Sequence, residues 1–184
     1  MPLAHVYVAP GFEEVELITI VDILRRADIN THLVSTAAAG LVAGAHNVGI
    51  AADLSFDEAA SEIPDLVVLP GGGPGTQHML AHPLLAGRLH SQFAAGRRVA
   101  AICAAPMVLA KAGLLRDLAA CCFPGCEATL SEHGAKVSAF NVVTDGLITT
   151  SRGPATAGLF ALELVRLLRD DATAIAVGRA MLYL

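Results

Sequence analysis

Cys103 is the residue whose type and position point most directly to chemistry. It follows the apolar run 99–102 and precedes Ala104, Ala105 and Pro106, which begin a predicted helix. A nucleophile on a sharp strand-to-helix turn is exposed above the sheet, and the next backbone N–H points into the same space. A helix N-terminus also favours a thiolate over a thiol. The alternative is a buried, inert cysteine at a strand end. We expect a reactive thiol.

A glycine-rich loop, PGGGPGTQ at 70–77, follows the apolar run 65–70. Successive glycines let backbone N–H groups approach a ligand closely. The loop is not a dinucleotide fingerprint because Thr76 stands where that pattern needs glycine, and no Gly-Lys-Ser/Thr follows for a P-loop. Taken alone, a loop of this kind is equally well explained as a flexible turn after a strand. Next to a cysteine at another strand end, it predicts an anion or oxyanion hole.

Three acidic residues, Glu13, Glu14 and Glu16, begin the predicted helix 13–28. Compensation of the helix dipole accounts for Glu13 and Glu14. Glu16 instead shares a helical face with the apolar residues Ile20, Ile23, Leu24 and Ala27. This periodicity places Glu16 on the buried face, where burial raises the pKa of a carboxyl group. Such a group can donate a hydrogen bond to a thiolate or act as a general acid and base.

The remaining cysteines and the histidines do not predict a metal site. Cys121, Cys122 and Cys126 have a spacing that matches no usual zinc pattern, and adjacent cysteines in a strand point to opposite faces. We expect burial or a secondary redox role for them. The histidines are scattered, and each is expected to be exposed or satisfied by a partner; they are His5, His32, His46, His78, His82, His90 and His133.

Composition excludes several classes of protein. A length of 184 residues favours one domain, spanning 1–184. The chain is 54% hydrophobic, but no apolar run approaches the roughly 18 residues of a membrane span. Residues 1–10 lack the basic start of a signal peptide, and the cysteines do not resemble a disulfide framework, so we expect a cytoplasmic protein. A net charge of −5 without a basic cluster argues against nucleic acid as a main partner.

The order of elements predicts the fold class. Strands are predicted at 3–10, 31–35, 65–70 and 98–103, a small hairpin at 40–53, and two or three short strands within 136–151. Helices are predicted at 13–28, 55–62, 76–95 with a break at Pro83, 105–113, 153–171 and 171–180. This alternation indicates a doubly wound α/β fold with a mostly parallel sheet and helices on both faces. Ligands gather outside the carboxyl ends of such strands.

Several motifs together resemble the ThiJ/PfpI superfamily. They are GFEEVE at 11–16, LPGGGPG at 69–75, AAICAAP at 100–106, CFP at 122–124 and TSRGPATA at 150–157. The likeness is closest to the parkinsonism-associated branch and to the YajL-like bacterial proteins within it. The resemblance implies a flavodoxin-like fold and a homodimer.

The resemblance also assigns roles residue by residue. Cys103 matches the reactive, oxidisable cysteine, and Glu16 matches the protonated glutamate that hydrogen-bonds it. Gly72 and Ala104 match backbone donors that face the site. The other positions that match site-lining residues are Gly71, Gly73, Ala105, Phe123, Ser151, Arg152, Gly153 and Pro154.

Three departures from the family pattern narrow the range of expected activities. Ala104 stands where the peptidase-like branch has histidine, and Phe123 where the animal branch places one near the cysteine. Ala105 replaces the glycine of the commonest motif. The thiol thus has a carboxyl partner and no histidine at either position, which disfavours a protease. No ATP-binding loop supports the kinase activity that the ThiJ name once suggested.

The resemblance therefore implies a cysteine enzyme without cofactor or metal that acts on reactive dicarbonyls in stress defence. It would be a glyoxalase III, converting methylglyoxal to lactate, or a deglycase of proteins or nucleotides. The implied partner is a small dicarbonyl, or a glycated or oxidised protein, and neither nucleic acid nor a membrane. The alternative is an oxidative-stress sensor or redox-linked chaperone that uses an oxidisable Cys103. A plain α/β binding domain is the third reading.

Overall fold

Strands and helices alternate along the chain, which a computed structural model describes over residues 1–37 and 40–184. The strands are β1 Leu3–Val8, β2 Asn30–Ser35, β3 Leu41–Ala43, β4 Gly49–Ala51, β5 Leu54–Ser55, β6 Leu66–Leu69, β7 Arg98–Ile102, β8 Ala119–Ala120, β9 Lys136–Val137, β10 Val142–Asp145 and β11 Ile148–Ser151. The helices are α1 Glu14–Arg26, α2 Gly73–Ala81, α3 Leu85–Ala94, α4 Pro106–Lys111, α5 Glu127–Glu132, α6 Ala157–Leu168 and α7 Asp171–Ala180. Single 3-10 turns span Glu58–Ser61 and Pro154–Thr156.

A seven-stranded sheet in the order β10-β11-β7-β6-β1-β2-β5 forms the centre of the protein. Its neighbouring strands run parallel except for the antiparallel pair β10 and β11. The predicted hairpin is present as β3 and β4, and β8 pairs with β9 in a separate two-stranded sheet. This is the predicted flavodoxin-like, doubly wound α/β architecture. Strands β6 and β7 read as continuous apolar runs because both faces of the sheet are covered.

Two hydrophobic cores lie on opposite faces of the sheet. On one face α1, α6 and α7 pack against the strands, with Leu17 and Phe160 among the buried residues. On the other face α2, α3, α4 and α5 cover the sheet, with Leu89 and Leu109 buried. Successive residues of a strand contribute side chains to opposite cores, because side chains alternate between the two faces of a sheet. No helix in the described residues is long and apolar enough to cross a membrane.

Some predicted boundaries are wrong. The helix expected at 55–62 is only the 3-10 turn Glu58–Ser61, although Ser55 and Glu58 form the expected capping contacts: the N–H of Ser55 donates to Glu58 Oε2 at 2.8 Å. Leu54 and Ser55 instead form strand β5, which pairs with β2, so the turn begins only at Glu58. The helix expected to start at residue 76 starts at Gly73 and breaks around Pro83 as predicted. Helix α5 and strand β8 were not predicted, since each is too short to show periodicity, whereas β9 lies within the short strands predicted at 136–151.

Candidate active site

Three adjacent strands of the sheet bring the predicted site residues together. The loop after β1 leads into α1 and Glu16, the loop after β6 contains Gly71 and Gly72, and Cys103 follows β7 directly. Between β5 and β6 the chain crosses from one side of β1 to the other, so these strand ends form a topological switch point. This is where doubly wound sheets bind ligands.

Cys103 lies on a strained turn. Its φ is +66°, a left-handed conformation that residues other than glycine seldom adopt and that clusters at functional sites. Two backbone hydrogen bonds hold it: the Cys103 N–H donates to the carbonyl of Ser151 at 3.0 Å, and the N–H of Phe123 donates to the Cys103 carbonyl at 2.8 Å. The side chain is 8% exposed. The turn between β7 and α4 is therefore an elbow that holds the sulfur at the end of the sheet.

Glu16 is the buried carboxyl beside this sulfur. Its side chain is fully buried, and its Oε2 accepts a hydrogen bond from the N–H of Gly71 at 2.7 Å. Burial raises the pKa of Glu16 to about 7, although the Gly71 N–H and a hydrogen bond with the Cys103 thiol both lower it. The carboxyl group therefore exchanges a proton close to neutral pH.

The thiol of Cys103 is influenced by opposing effects. Burial and the adjacent Glu16 raise the pKa of Cys103 to about 12, whereas hydrogen bonds from the N–H groups of Gly72 and Ala104 lower it. Burial thus outweighs the helix N-terminus, contrary to the expected free thiolate. Since Glu16 loses its proton first, the pair carries one proton above neutral pH. The thiolate forms when Glu16 holds that proton and the two N–H groups face the sulfur.

The close approach of these groups requires glycine in the loop after β6. A Cβ atom at Gly71 would lie 2.5 Å from the Cβ of Cys103 and 2.8 Å from Glu16 Oε2. Gly72 has a φ of +94°, and a Cβ there would lie 2.3 Å from the carbonyl oxygen of Gly11. The glycine run therefore lets the carboxyl, the sulfur and the N–H donors meet.

Cys103 lines a cavity of about 460 Å³. Its wall is formed by the loops and first helical turns that follow β1, β6 and β7, together with the segments around Phe123 and Pro154: Glu13, Gly72, Gly73, Gln77, Cys103, Ala104, Met107, Phe123, Cys126 and Pro154. This volume suits a small molecule.

The other predicted lining residues lie outside this cavity. Arg152 and Gly153 line an adjoining cavity of about 390 Å³, which shares Phe123 and Pro154 with the first. Ser151 is buried and acts through its carbonyl, which accepts the Cys103 N–H. Ala105 is fully buried in the core beneath the elbow, so its expected place in the lining is wrong.

Four residues that line the cavity were not predicted to do so: Glu13, Gln77, Met107 and Cys126. Gln77 lies in α2 and Met107 in the first turn of α4, the helices that follow the two buried strands. The rule that ligands gather at the carboxyl ends of strands could therefore have identified these two residues from the sequence. Glu13 was assigned only to the helix dipole. Cys126 precedes the unpredicted helix α5, and its only signal was Phe123, three residues earlier, which was expected to line the site.

The remaining cysteines are free thiols, as is Cys103. Cys121 and Cys122 are buried, and Cys126 is half-buried. Burial raises the pKa of all three, that of Cys122 to about 12. At neutral pH they are therefore protonated, as the expected burial implies.

The fold and the site define a class of α/β proteins in which a cysteine occupies a strained elbow beside a buried glutamate. The chain belongs to the DJ-1/PfpI family, whose model matches residues 3–167. This confirms the expected superfamily; the finer assignment to YajL-like bacterial proteins stays a prediction.

Individual relatives are similar over most of their length. Protein dj-1beta of Drosophila melanogaster is 38% identical over 98% of this chain and 97% of its own. The crystal structure of Drosophila melanogaster DJ-1beta matches with a TM-score of 0.95 at 37% identity, over 98% of this chain and 97% of that one. The glutathione-independent glyoxalase DJR-1.2 of Caenorhabditis elegans is 31% identical over 85% of this chain and 82% of its own. The deglycase PH1704 of Pyrococcus horikoshii is 32% identical over 88% and 96%.

Proposed function

We propose that this protein is a cofactor-independent cysteine enzyme that acts on reactive dicarbonyls in stress defence. The observation that carries this function is the Cys103 sulfur beside a small-molecule cavity, in contact with the Glu16 carboxyl and two N–H donors. The names of two relatives, a glutathione-independent glyoxalase and a deglycase, support the same substrate class. The reaction converts methylglyoxal and water to lactate, or removes an early dicarbonyl adduct from a protein or nucleotide.

The first step forms a bond between the Cys103 sulfur and the aldehyde carbon. The proton of the pair lies on Glu16 in the reactive form, so that the sulfur attacks as a thiolate. As the carbonyl π electrons move onto oxygen, the N–H groups of Gly72 and Ala104 stabilise the developing charge. The oxyanion then takes up the proton from Glu16 and yields a hemithioacetal.

The second step moves a proton between adjacent carbons. Glu16, now a carboxylate, removes the proton from the former aldehyde carbon and returns it to the neighbouring carbon. The hydroxyl proton of the hemithioacetal passes to the former ketone oxygen, which leaves a thioester of lactate. A pKa of about 7 suits this exchange, because the group both accepts and donates a proton near neutral pH. Water then cleaves the thioester, releasing lactate and the Cys103 thiol. Atoms and electrons balance without an external oxidant or reductant.

Lactate formation from methylglyoxal by metal-stripped protein tests this function. We expect turnover in the wild type and its loss in Cys103→Ser and Glu16→Gln. Cys121→Ser is the matched control, since it removes another free thiol that does not line the cavity. A wild type that forms no lactate, but is oxidised to the sulfinate at Cys103 by mild peroxide, would contradict the enzyme proposal.

A second arm separates glyoxalase from deglycase activity. A preformed methylglyoxal adduct of a peptide is incubated with the protein in the presence of an excess of a scavenger of free dicarbonyl. Adduct loss at an undiminished rate indicates direct deglycation. A rate that falls to that of spontaneous adduct release indicates that the enzyme consumes only free methylglyoxal.

The same site favours one other role, that of an oxidative-stress sensor or redox-linked chaperone. A Cys103 sulfinate places anionic oxygens where the N–H groups of Gly72 and Ala104 donate, and protonated Glu16 supplies a further donor. Quantitative oxidation to sulfinate without lactate formation would favour this role.

We also propose that the chain, as one domain, works as a homodimer in the cytoplasm. Exposed apolar side chains on α1 and on the hairpin β3–β4 support self-association: Val15, Ile18, Leu41 and Val48. Hydrogen bonds from His46 and Val48 to Glu14 join the hairpin to α1, so these side chains belong to one region. Sedimentation should give a dimer, and Ile18→Lys should shift it toward the monomer.

A further inference from the structure

Two histidines face each other across neighbouring strands at the end of the sheet opposite Cys103. His5 on β1 and His32 on β2 are register partners, and their rings stack with centroids 5.8 Å apart. The register runs from His5 through Val67 to Val99, four residues before Cys103. The histidines are therefore about 13 Å from Cys103 along the strand direction alone.

His5 is a buried polar residue whose ring nitrogens lack a close hydrogen bond, and its nearest charged contact is the Glu62 carboxylate, 3.6 Å from Nε2. Its side chain is fully buried, and neither ring nitrogen makes a hydrogen bond with any described residue. The Nδ1 atom of His32 is likewise buried and unpartnered within the described chain. Such groups are costly and rare in native proteins, so each calls for an explanation.

A carboxylate completes a cluster of three ligands. Glu62 follows the 3-10 turn Glu58–Ser61, and its Oε1 lies 3.6 Å from the Nε2 of His5. One ligand atom from each of His5, His32 and Glu62 lies within 4.8 Å of the others. Atoms bound tetrahedrally to one zinc ion are about 3.4 Å apart. The Glu62 side chain is about half exposed, which leaves it free to make the small movement required.

We propose that His5, His32 and Glu62 form a binding site for a divalent transition-metal ion of the zinc class. Two imidazoles and one carboxylate suit zinc and its neighbours, whereas magnesium and calcium take oxygen ligands. The positive charge of Arg88 opposes a cation here, and the Glu62 carboxylate offsets it. The fourth position is left to water or a ligand atom from solution. The Glu62 side chain is about half exposed, so the site is open to solvent on that side.

Such an ion would tie β1 and β2 to the segment that precedes β6. It would stabilise the amino-terminal half of the sheet, because metal binding only to the folded state favours that state. It would take no part in chemistry at Cys103, which lies at the other end of the strands.

Metal titration of the stripped protein tests the site. Calorimetry with Zn²⁺ should show saturable binding, and Co²⁺ should give d–d absorption bands of a site with nitrogen and oxygen ligands. His32→Gln and Glu62→Gln should each weaken binding by more than about tenfold, the lower limit typical for lost outer-shell partners of a metal. His90→Gln and Glu132→Gln alter exposed residues elsewhere and should leave the affinity unchanged. Zn²⁺ should raise the thermal unfolding midpoint of the wild type but not of Glu62→Gln.

Three results would overturn the site: no saturable binding of either ion, an affinity that both ligand variants retain, or a cobalt spectrum made up of thiolate charge-transfer bands. The last result would place the metal on the cysteines. His5→Asn changes a buried position and so reports on packing as well as on binding. Metal binding by the Glu62→Gln variant is therefore the deciding measurement, because Glu62 is half-exposed and its substitution leaves the core intact.

Discussion

Glu14 and Glu16 stand two residues apart on the first turns of α1, and their surroundings differ sharply. Glu14 points toward the β3–β4 hairpin, where its Oε1 accepts the His46 N–H at 2.6 Å and its Oε2 lies 2.9 Å from His46 Nδ1. Glu16 points toward the elbow, is fully buried, and accepts one backbone N–H, that of Gly71. Two positions correspond to about 200° around a helix, which separates the two environments.

The difference shows how hydrogen bonds and burial compete over a proton. Burial raises the pKa of Glu14, but the hydrogen bonds from His46 and Val48 outweigh it, and the pKa lies below its ordinary value. At Glu16 burial prevails and the pKa rises to about 7. One carboxylate is therefore a permanent anion that fastens the hairpin to the helix. The other is a proton carrier for the thiol.

Removing the sulfur tests whether Glu16 has a chemical partner at all. Cys103→Ser should lower turnover of methylglyoxal by about 10³-fold or more, as losing a nucleophile does. Lactate formation at saturating substrate measures the effect. Retained turnover would show that Glu16 does not act through Cys103. The difference in pKa between Glu16 and Glu14 would then have no bearing on catalysis.

Neutral replacements of the two carboxyl groups compare them directly. Glu16→Gln should lower turnover by about 10²- to 10⁴-fold, because the proton carrier between sulfur and carbon is lost. Glu14→Gln should leave turnover within about twofold, since Glu14 does not line the cavity. Equal losses in both variants would mean that α1 acts only as a scaffold and that the buried carboxyl has no special role.

The pH dependence of stability should carry the signature of Glu16. Its pKa rises on folding from 4.5 to about 7, so in this window the folded state keeps a proton that the unfolded state has released. The free energy of unfolding should therefore fall by about 3 kcal/mol as the pH rises from 4.5 to 7. Urea unfolding at a series of pH values measures the slope, and Glu16→Gln should remove it. An unchanged slope in that variant would assign the effect to other groups.

The smallest effect is expected from Glu14. Glu14→Gln should lower the free energy of unfolding by about 1 to 2 kcal/mol at neutral pH, because charge-assisted hydrogen bonds to the hairpin are lost. A carboxyl group whose pKa is lowered by folding stabilises the folded state at a pH above its pKa in the unfolded chain. Acidification removes this stabilisation, so the difference in stability between the variant and the wild type should shrink as the pH falls. Glu132→Gln, at an exposed position, serves as the control.

Much of this contrast was predictable from helical periodicity. The apolar stripe Ile20, Ile23, Leu24 and Ala27 placed Glu16 inside, and Glu16 is fully buried. The strand-to-helix transition at Cys103 likewise predicted the elbow, which the positive φ confirms.

What escaped prediction depends on partners that are distant in the sequence. The hydrogen bonds of Glu14 join it to His46, 32 residues away in a hairpin whose docking has no local signal. The expectation that each histidine is exposed or satisfied failed at His5, because its neighbours His32 and Glu62 arrive only through strand pairing and a loop. The raised pKa of Cys103 was not predicted either, because it results from burial and from Glu16, which is distant in the sequence, and these outweigh the short helix that follows Cys103.

Titration of the glutamate side chains in one sample tests the central claim most directly. With ¹³C-labelled glutamate, carboxyl resonances are followed by NMR from acid to alkaline pH and assigned through Glu14→Gln and Glu16→Gln. We predict a midpoint near 7 for Glu16 and a midpoint below the ordinary value of 4.5 for Glu14. A Glu16 midpoint at or below 4.5 would contradict the account, because a carboxylate already ionised in acid has no proton to carry to the sulfur.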